Sequence, residues 1–301
     1  MNGLIGIDLG GTKIELAVVD PAGQVIHRHR RATPAGDYAA TLQCVCEMVA
    51  HSVATLDMPR PAALGMAIPG CLDPQTRTVR GANSVVLNGQ PMQADLERLL
   101  GCRVLMENDA NCLAVSEAVD GAAAGLGLVF GVILGTGCGG GWAIHGQAWR
   151  GPHALAGEWG HNPLPWLGAT EQPSRDCWCG QHACLETWLS GPGLAADHAA
   201  RTGQLCQPPE IVAAMRRGEP QALASWGRYV GRLARALAQI INTMDPDAIV
   251  LGGGLSQIDE LYAAVPPLLT RHTFTQPIHT PIRAALHGDA SGVRGAAWLA
   301  R

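Results

Sequence analysis

An apolar strand that runs into a Gly/Thr turn and then into a second strand occurs twice in this chain. Residues 6–12 read GIDLGGT, and residues 131–137, about 125 positions later, read GVILGTG. Because each copy predicts the same strand–turn–strand unit, we expect two related domains that face a common cleft. The glycines would let backbone N–H groups approach an anion, and a threonine adds a hydroxyl donor. The repeat therefore indicates two phosphate loops, with turns that only reverse the chain as the alternative.

A third glycine run, residues 252–254, follows a predicted strand and precedes a predicted helix, where it would hold a nucleotide or only turn the chain. The chain has no GxxxxGK[ST] P-loop, and no helix follows a G-x-G-x-x-G dinucleotide fingerprint. The first turn is flanked by Asp8, which is placed to organise Mg²⁺, and by Lys13. Three such turns at strand ends predict binding of nucleotide phosphate.

Short apolar runs alternate with longer segments of helical period, which is typical of an α/β protein. The pattern predicts strands at residues 4–8, 16–20, 25–29, 63–68, 103–107, 128–134, 142–145 and 248–251. It predicts helices at residues 38–56, 111–123, 226–244 and 292–299.

A segment rich in Gly, Pro and Trp contains four residues of the types that bind zinc, namely His161, Cys177, Cys179 and Cys184. Three thiolates and one imidazole complete a tetrahedron, and a closed set of four protein ligands marks a structural site. Disulfides or unrelated buried thiols are the alternative, but nothing else in the chain indicates an oxidising compartment. The metal loop would hold two flanking carboxylates rigidly, those of Glu158 and Glu186.

The charge balance is mild, with 21 Lys and Arg against 25 Asp and Glu and a formal net charge of −4. This balance argues against nucleic acid as a partner. The longest apolar stretch, residues 126–134, is far shorter than the ~20 residues that a membrane span needs, and the N-terminus lacks the pattern of a secretory signal. Ten cysteines in 301 residues are too sparse for a disulfide scaffold. We therefore expect a cytoplasmic protein with no membrane partner.

The segment ENDAN, residues 107–111, lies between a predicted strand and a predicted helix. Its Asp and Asn side chains would cap the helix that is expected to begin near Asn111. The functional alternative is that Asp109 accepts a proton from a hydroxyl nucleophile, while Asn108 hydrogen-bonds a neighbouring hydroxyl. The spacing alone leaves both interpretations open.

Taken in order, these motifs resemble the ROK family of bacterial sugar kinases and repressors. The resemblance covers essentially the whole chain and rests on DLGGTK at 8–13, NDAN at 108–111, GTG at 135–137, E-x-G-H at 158–161 and C-x-C-G-x-x-x-C-x-E at 177–186. Segments at 83–84, 87–91, 160–166 and 287–298 are most similar to the fructokinase branch. One departure is Ala183, where the family usually has glycine, so a left-handed turn there would be slightly strained.

The resemblance implies a two-domain, actin-like (ribonuclease H-like) α/β ATPase fold with a cleft between the domains. The smaller domain would comprise residues 1–118 and 290–301, and the larger domain residues 119–289 with the zinc loop. The resemblance also implies ATP, Mg²⁺ and structural Zn²⁺ as cofactors, a hexose and ATP as small-molecule ligands, and a homodimer.

The resemblance further implies roles for individual residues. Asp109 would be the catalytic base. The implied sugar contacts are Asn83, Asn108, Asp109, Glu158, His161 and Glu186. The implied nucleotide contacts are Asp8, Gly10, Gly11, Thr12, Lys13, Gly135, Thr136, Gly137, Gly253 and Gly254. His161 would bind zinc through one ring nitrogen while the other touches the sugar or a carboxylate.

The implied activity is transfer of the γ-phosphoryl group of ATP to the 6-hydroxyl of a hexose. D-fructose is the leading expected substrate, with glucose, mannose and N-acetylglucosamine as alternatives. A sugar-responsive regulator is the alternative of another class, and it would need a DNA-binding extension ahead of the kinase-like core. The first predicted strand begins at Leu4, which favours the kinase.

Overall fold

A computed structural model of the protein describes residues 3–172 and 174–301 and divides the chain into two compact units. The first unit comprises the chain up to Gly127 together with residues 141–156 and 289–301, and the second comprises residues 128–140 and 157–288. Residues 119–127 and 141–156 thus belong to the first unit, whereas the predicted boundaries assigned them to the second domain. Contacts of β-strand residues 147–148 with helix residues 109–119 help to hold the 141–156 segment there.

Strands and helices alternate along the chain, which confirms the predicted α/β class. The strands are β1 (Leu4–Leu9), β2 (Lys13–Val19), β3 (Val25–Ala32), β4 (Ala63–Ile68), β5 (Cys71–Leu72), β6 (Val79–Arg80), β7 (Arg103–Asn108), β8 (Leu128–Leu134), β9 (Cys138–Ile144), β10 (Gln147–Ala148), β11 (Ala248–Gly252) and β12 (Ile282–Ala284). The helices are α1 (Tyr38–Thr55), α2 (Met92–Leu100), α3 (Asp109–Val119), α4 (Glu186–Leu189), α5 (Gly191–Thr202), α6 (Pro208–Arg216), α7 (Pro220–Met244), α8 (Glu260–Ala264), α9 (Pro266–Leu269) and α10 (Ser291–Leu299). Each predicted strand and helix overlaps an observed element of the same type. Among the described residues, no helix is both long and apolar enough to cross a membrane.

The first unit is built on a mixed five-stranded sheet in the order β3-β2-β1-β4-β7. Strand β1 pairs antiparallel with β2 and parallel with β4, which in turn pairs parallel with β7. Alternating apolar residues bury one face, so that Ile7 of β1 and Met48 of α1 are both inaccessible to solvent in the same core cluster. The register pairs Leu9 with Ile14, which places the turn of residues 10–12 at the end of the β1–β2 hairpin.

The second sheet has the order β10-β9-β8-β11-β12, and β11 pairs parallel with both β8 and β12. Here too an apolar strand, β8, leads through a Gly/Thr turn at residues 135–137 into the next strand, β9. The repeat in the sequence therefore corresponds to two strand–turn–strand units, as predicted.

Two glycines allow α10 to pack backbone against backbone in the first unit. A Cβ atom added at Gly65 of β4 would lie 1.7 Å from the carbonyl oxygen of Ala296. A Cβ atom added at Gly295 would lie 1.7 Å from the carbonyl oxygen of Cys112 in α3. Any side chain at either position would force the elements apart, so the close packing of this helix depends on glycine.

We expect Gly295→Ala to lower the free energy of unfolding by about 2–3 kcal/mol, because overpacking of a tight contact costs that much. Gly231 in α7 is the matched control, since open space lies where its Cβ would be. Gly231→Ala should stabilise the protein by about 0.5–1 kcal/mol through helix propensity. Urea denaturation followed by circular dichroism measures both, and equal stability of the two variants would contradict the packing argument.

Candidate functional site

The four predicted metal ligands lie together in the second unit. The ligand atoms of His161, Cys177, Cys179 and Cys184 all lie within 4.8 Å of one another. His161 Nδ1 is 3.6 Å from Cys177 Sγ, and the Sγ atoms of Cys179 and Cys184 are 3.7 Å apart. A tetrahedral zinc ion with ordinary bond lengths separates its ligand atoms by roughly 3.6–3.8 Å. All ten cysteines are free, so no disulfide competes for these thiols.

Local turns fold the loop into this arrangement. The backbone N–H of Gly180 donates to the carbonyl oxygen of Cys177, and the N–H of Cys177 donates to that of Gln181, which closes a tight turn around the first two thiols. Gly180 has φ 87°, a left-handed conformation that glycine adopts without steric cost. Ala183 also has a left-handed backbone, with φ 58°, which confirms the left-handed turn predicted where the family usually has glycine.

We expect Ala183→Gly to tighten the loop by about 0.5 kcal/mol, because relief of the left-handed strain exceeds the loss of one small methyl group. The measurement is the rate at which zinc is lost to a chelator, which should fall in this variant. Ala169→Gly is the control, since Ala169 is not among the residues with a positive φ. A rate that is unchanged by Ala183→Gly would show that the alanine is not strained.

Burial and crowding favour the protonated form of the Cys184 thiol. Loss of hydration on burial, and then the neighbouring thiols of Cys179 and Cys177, raise the pKa of Cys184 to about 12. A metal ion would have to displace such protons, since only thiolates bind zinc. The donor set, its spacing and this crowding of thiols all fit a bound cation.

Gly160 sets the position of His161. A Cβ atom at Gly160 would lie 1.8 Å from the carbonyl oxygen of Cys138, so only glycine lets this backbone pass the start of β9. The short 3-10 helix Trp159–His161 then places His161 with Nδ1 toward the cysteines, which leaves Nε2 for a second contact. The ring of Trp178 packs edge-on against the His161 ring at 5.1 Å. Glu158, directly before this helix, is exposed.

Glu186 connects the cysteine loop to the Gly/Thr turn of the second unit. Its Oε2 accepts a hydrogen bond of 3.0 Å from the backbone N–H of Cys138, the residue after Gly137. Its Oε1 accepts one of 2.6 Å from Trp178 Nε1. Each carboxylate oxygen has two lone pairs, so both can still accept a hydrogen bond from a ligand hydroxyl. The sequence motifs did not reveal Trp178 as a partner of Glu186.

A cavity of about 630 Å³ in the second unit is bordered by two of the three glycine turns. Gly135, Thr136 and Gly254 all line it, together with Pro208 and Ile258. Gly135 does not have a positive φ, and nothing lies within 4 Å of where its Cβ would be. Neither turn geometry nor protein packing therefore requires glycine at this position.

Gly253 differs from its neighbours because the fold itself requires it. It has φ 82°, and a Cβ there would lie 2.5 Å from the carbonyl oxygen of Leu134. The turn of the chain is thus sufficient to explain the glycine at position 253, without a bound nucleotide. The helix predicted after this run is a short 3-10 helix, Gly254–Gln257.

The first Gly/Thr turn is closed by its own backbone. The N–H of Gly10 donates to the carbonyl oxygen of Lys13 at 2.9 Å, and Thr33 Oγ1 donates to that of Gly10 at 2.7 Å. Gly11, Thr12 and Lys13 are exposed. Their backbone and side chains are therefore accessible to a ligand of the first unit.

Asn108 is the N-cap residue of α3, and Asp109 Oδ1 also accepts a hydrogen bond of 2.8 Å from the N–H of Ala110. The helix begins at Asp109 rather than near Asn111, and Asn108 Oδ1 accepts a hydrogen bond of 2.9 Å from the N–H of Ala110. The expectation of a helix starting near Asn111 was wrong by two residues, because the cap lies on the last residue of β7. Asp109 occupies the first helical position, where a carboxylate is favoured by the helix dipole but is not needed as the cap.

Asp8, Lys13 and Asp109 influence one another within the first unit. Loss of hydration on burial, followed by the negative charges of Asp109 and Glu15, raises the pKa of Asp8 to about 7, against the opposing charge of Lys13. The structure therefore brings Asp8 and Asp109 within electrostatic range. A divalent cation beside Asp8 would favour its ionised form.

The buried Glu107 organises the segment around Asp109. Its Oε1 accepts hydrogen bonds from the backbone N–H of Asn108 at 3.0 Å and from Asn111 Nδ2 at 3.1 Å. Asn111 Oδ1 in turn accepts from the N–H of Trp142 at 2.9 Å. A glutamate at the end of an apolar strand was the only sequence signal for this role.

Asn83 lies on an exposed loop of the first unit. The residue before it, Ala82, is held by both polar atoms of the Asn88 side chain, each at 2.9 Å. Ser84, the residue after it, lies close to Gly11, since a Cβ at Gly11 would be 3.6 Å from Ser84 Oγ. The structure thus places Asn83 beside the first Gly/Thr turn.

Comparison with known proteins identifies the family of this chain. The sequence model of the ROK family matches residues 4–301. The chain belongs to the ROK family. An N-acetyl-D-glucosamine kinase from Escherichia coli O139:H28 (strain E24377A / ETEC) is 41% identical over 298 residues, which cover 98% of each chain.

Two solved ROK structures resemble this one. The ROK hexokinase from Thermus thermophilus has a TM-score of 0.87 at 28% identity and covers 98% of this chain and 97% of its own. A ROK glucokinase from Streptomyces griseus, in complex with glucose and AMPPNP, has a TM-score of 0.79 at 30% identity, with 99% of each chain covered. The fold is therefore the two-domain actin-like ATPase fold of ROK sugar kinases, as predicted. The predicted fructokinase branch is not supported, since the relative in E. coli is an N-acetyl-D-glucosamine kinase.

Proposed function

We propose that this ROK protein is an ATP-dependent kinase that phosphorylates the 6-hydroxyl of N-acetyl-D-glucosamine. The observation that carries this proposal is the end-to-end similarity, at 41% identity, to an N-acetyl-D-glucosamine kinase. The candidate residues of each unit are compatible with that chemistry. D-fructose, which the sequence motifs favoured, becomes the alternative substrate.

Asp109 is the base in this proposal. Asn108 supplies the N-cap of α3. The fold therefore does not require an aspartate at the first helical position, and Asp109 is available for catalysis. Its carboxylate would accept the proton of the sugar 6-hydroxyl as that oxygen attacks the γ-phosphorus of ATP. Asn83 and Asn108 of the first unit, and Glu158, His161 and Glu186 of the second, would hydrogen-bond the other polar groups of the sugar.

The nucleotide phosphates would be held by the Gly/Thr turns. In the first unit these are the backbone and side chains of residues 10–13, with Asp8 beside Mg²⁺. In the second unit they are residues 135–137, and the adjoining cavity of about 630 Å³ lies within the size range of small-molecule sites. Mg²⁺ would neutralise charge on the phosphates, and catalysis would otherwise consist mostly of positioning.

We further propose that zinc fills the Cys/His site and has a structural role. It would hold His161 as a ligand and Glu186 through the loop that contains Cys184. The same loop carries Trp178, which donates to Glu186. The metal would therefore fix two of the proposed sugar contacts without taking part in phosphoryl transfer. The homodimer implied by the family resemblance stays a prediction, which sedimentation velocity would test.

The test of the proposed activity is ADP release from ATP and Mg²⁺ in the presence of N-acetyl-D-glucosamine. ³¹P–¹H NMR of the product should place the phosphate on the oxygen of C6. A control without sugar should release little ADP. If folded, zinc-loaded protein binds a hexose but releases no ADP with any of them, the protein is a sugar-responsive regulator and not a kinase.

A further inference from the structure

A second cavity, of about 370 Å³, lies entirely within the first unit and collects arginines. Arg77, Arg103, Arg150 and Arg301 line it, and Glu107 is the one carboxylate side chain among its described lining residues. None of these arginines belongs to the proposed sugar or nucleotide site. Four guanidinium groups at one cavity repel one another unless an anion lies between them.

The protein itself offers these arginines little negative charge. Arg150 Nε lies 3.5 Å from Glu107 Oε2, while Arg77 donates to the neutral side chain of Gln93. Arg301 lies over the ring of Trp298. No ion pair links Arg103 to any residue in the described parts of the chain. The side chains that line this cavity therefore carry a net positive charge.

The backbone at Arg77 gives independent support. Arg77 has φ 60°, in the turn between β5 and β6, a left-handed position that glycine or asparagine occupies at lower cost. Residues held in such conformations are concentrated at ligand-binding sites. Arg77 lines the cavity from this turn.

We propose that this cavity binds a small anion that carries phosphate groups, and that its binding is communicated to the segment around Asp109. Guanidinium groups match phosphate oxygens with paired, charge-assisted hydrogen bonds, which makes phosphate the preferred anion. The anion is a free polyphosphate or the phosphate group of a sugar phosphate, since both present the same chemistry to the arginines.

The connection to Asp109 runs through Glu107. Arg150 lies at the cavity and contacts one oxygen of Glu107, and the other oxygen holds Asn108 and Asn111, on either side of Asp109. An anion that engages Arg150 competes with Glu107 for the same guanidinium group. The Glu107 carboxylate would then lose its contact with Arg150. Because the same carboxylate holds the start of α3, this loss would alter the position of Asp109 and so the affinity for sugar. This regulatory part rests on the proposed kinase function, whereas anion binding itself does not.

Binding is tested by isothermal titration calorimetry with pyrophosphate and, separately, with N-acetyl-D-glucosamine 6-phosphate. A saturating non-hydrolysable ATP analogue fills the nucleotide site, and free Mg²⁺ is held constant. Arg77→Gly and Arg103→Ala should each raise the Kd by about tenfold or more. Arg77→Gly also preserves the fold, because glycine tolerates the left-handed turn.

The control is Arg31→Ala, on β3 at the opposite edge of the sheet from β7, and it should leave the Kd unchanged. The ligand that binds more tightly to the wild type identifies the source of the phosphate group. Binding that is equal in the wild type and in both cavity variants, or no binding of either ligand, would overturn the site.

The coupling is tested by the sugar KM of the wild type with and without a saturating amount of the tighter anion. We expect a change of about threefold or more in the wild type, the lower range of allosteric coupling, and none in Arg103→Ala. Arg103→Ala should have unchanged activity without the anion. A wild-type KM that does not respond would overturn the coupling. If no kinase activity exists, the calorimetry still decides whether the anion site is real.

Discussion

Asp109→Asn should lower kcat by about 10²- to 10⁴-fold, the usual contribution of a general base. Asparagine cannot accept the proton of the sugar hydroxyl, but it has nearly the same size as aspartate. Because Asn108 caps α3, the substitution leaves the cap in place. ATP and sugar should still bind, so that the loss lies in turnover, as steady-state kinetics would show.

The stability of this variant provides a second measurement. Loss of a first-turn carboxylate costs about 0.3–1 kcal/mol in helix-dipole energy. The substitution also removes the negative charge of Asp109, which repels the carboxylate of Asp8. The loss of this repulsion is stabilising and opposes the helix-dipole cost. The melting temperature should therefore change little, while the pKa of Asp8 falls. Asp95→Asn, at a first-turn aspartate of α2, is the control and should keep full turnover. If Asp109→Asn keeps more than about a tenth of wild-type turnover, Asp109 is not the base.

Cys179→Ser should abolish zinc binding and disorder the cysteine loop. Structural zinc in small Cys/His sites contributes on the order of 10 kcal/mol to the folding of its segment, and serine replaces a thiolate poorly. Without the metal, the buried thiols retain their protons and no longer hold His161 in position. Glu186 then loses the loop that places it, so the sugar KM should rise more than the ATP KM.

Cys206→Ser is the matched control, because Cys206 is a free, half-buried cysteine of the second unit outside the ligand set. It should retain one zinc per chain and wild-type kinetics. Elemental analysis of protein purified without chelators measures the metal directly. Wild-type protein without zinc, or a Cys179→Ser variant with unchanged zinc content, would be incompatible with a zinc site.

Local patterns predicted much of this fold. The apolar strand before each Gly/Thr turn determined β1 and β8, and the helical period of residues 226–244 identified most of α7. The clustering of His161, Cys177, Cys179 and Cys184 could be predicted because metal chemistry requires particular residue types at close spacing. The left-handed Ala183 could be predicted because the family resemblance identified a glycine position.

Other features depend on contacts between residues far apart in the sequence. The cap of α3 lies on Asn108 because β7 continues to that residue, which helical periodicity could not show. Residues 141–156 belong to the first unit through packing that no local pattern encodes. The arginine cavity combines Arg77, Arg103 and Arg150 from three separated segments, none of which is notable alone.

The most direct test of the proposed function is the ratio of kcat/KM for N-acetyl-D-glucosamine to that for D-fructose, measured with ATP on the same zinc-loaded protein. Sites that hydrogen-bond a particular polar group discriminate strongly against substrates that lack it, so we predict a ratio of at least about 10. A ratio of one or below would contradict the proposed substrate.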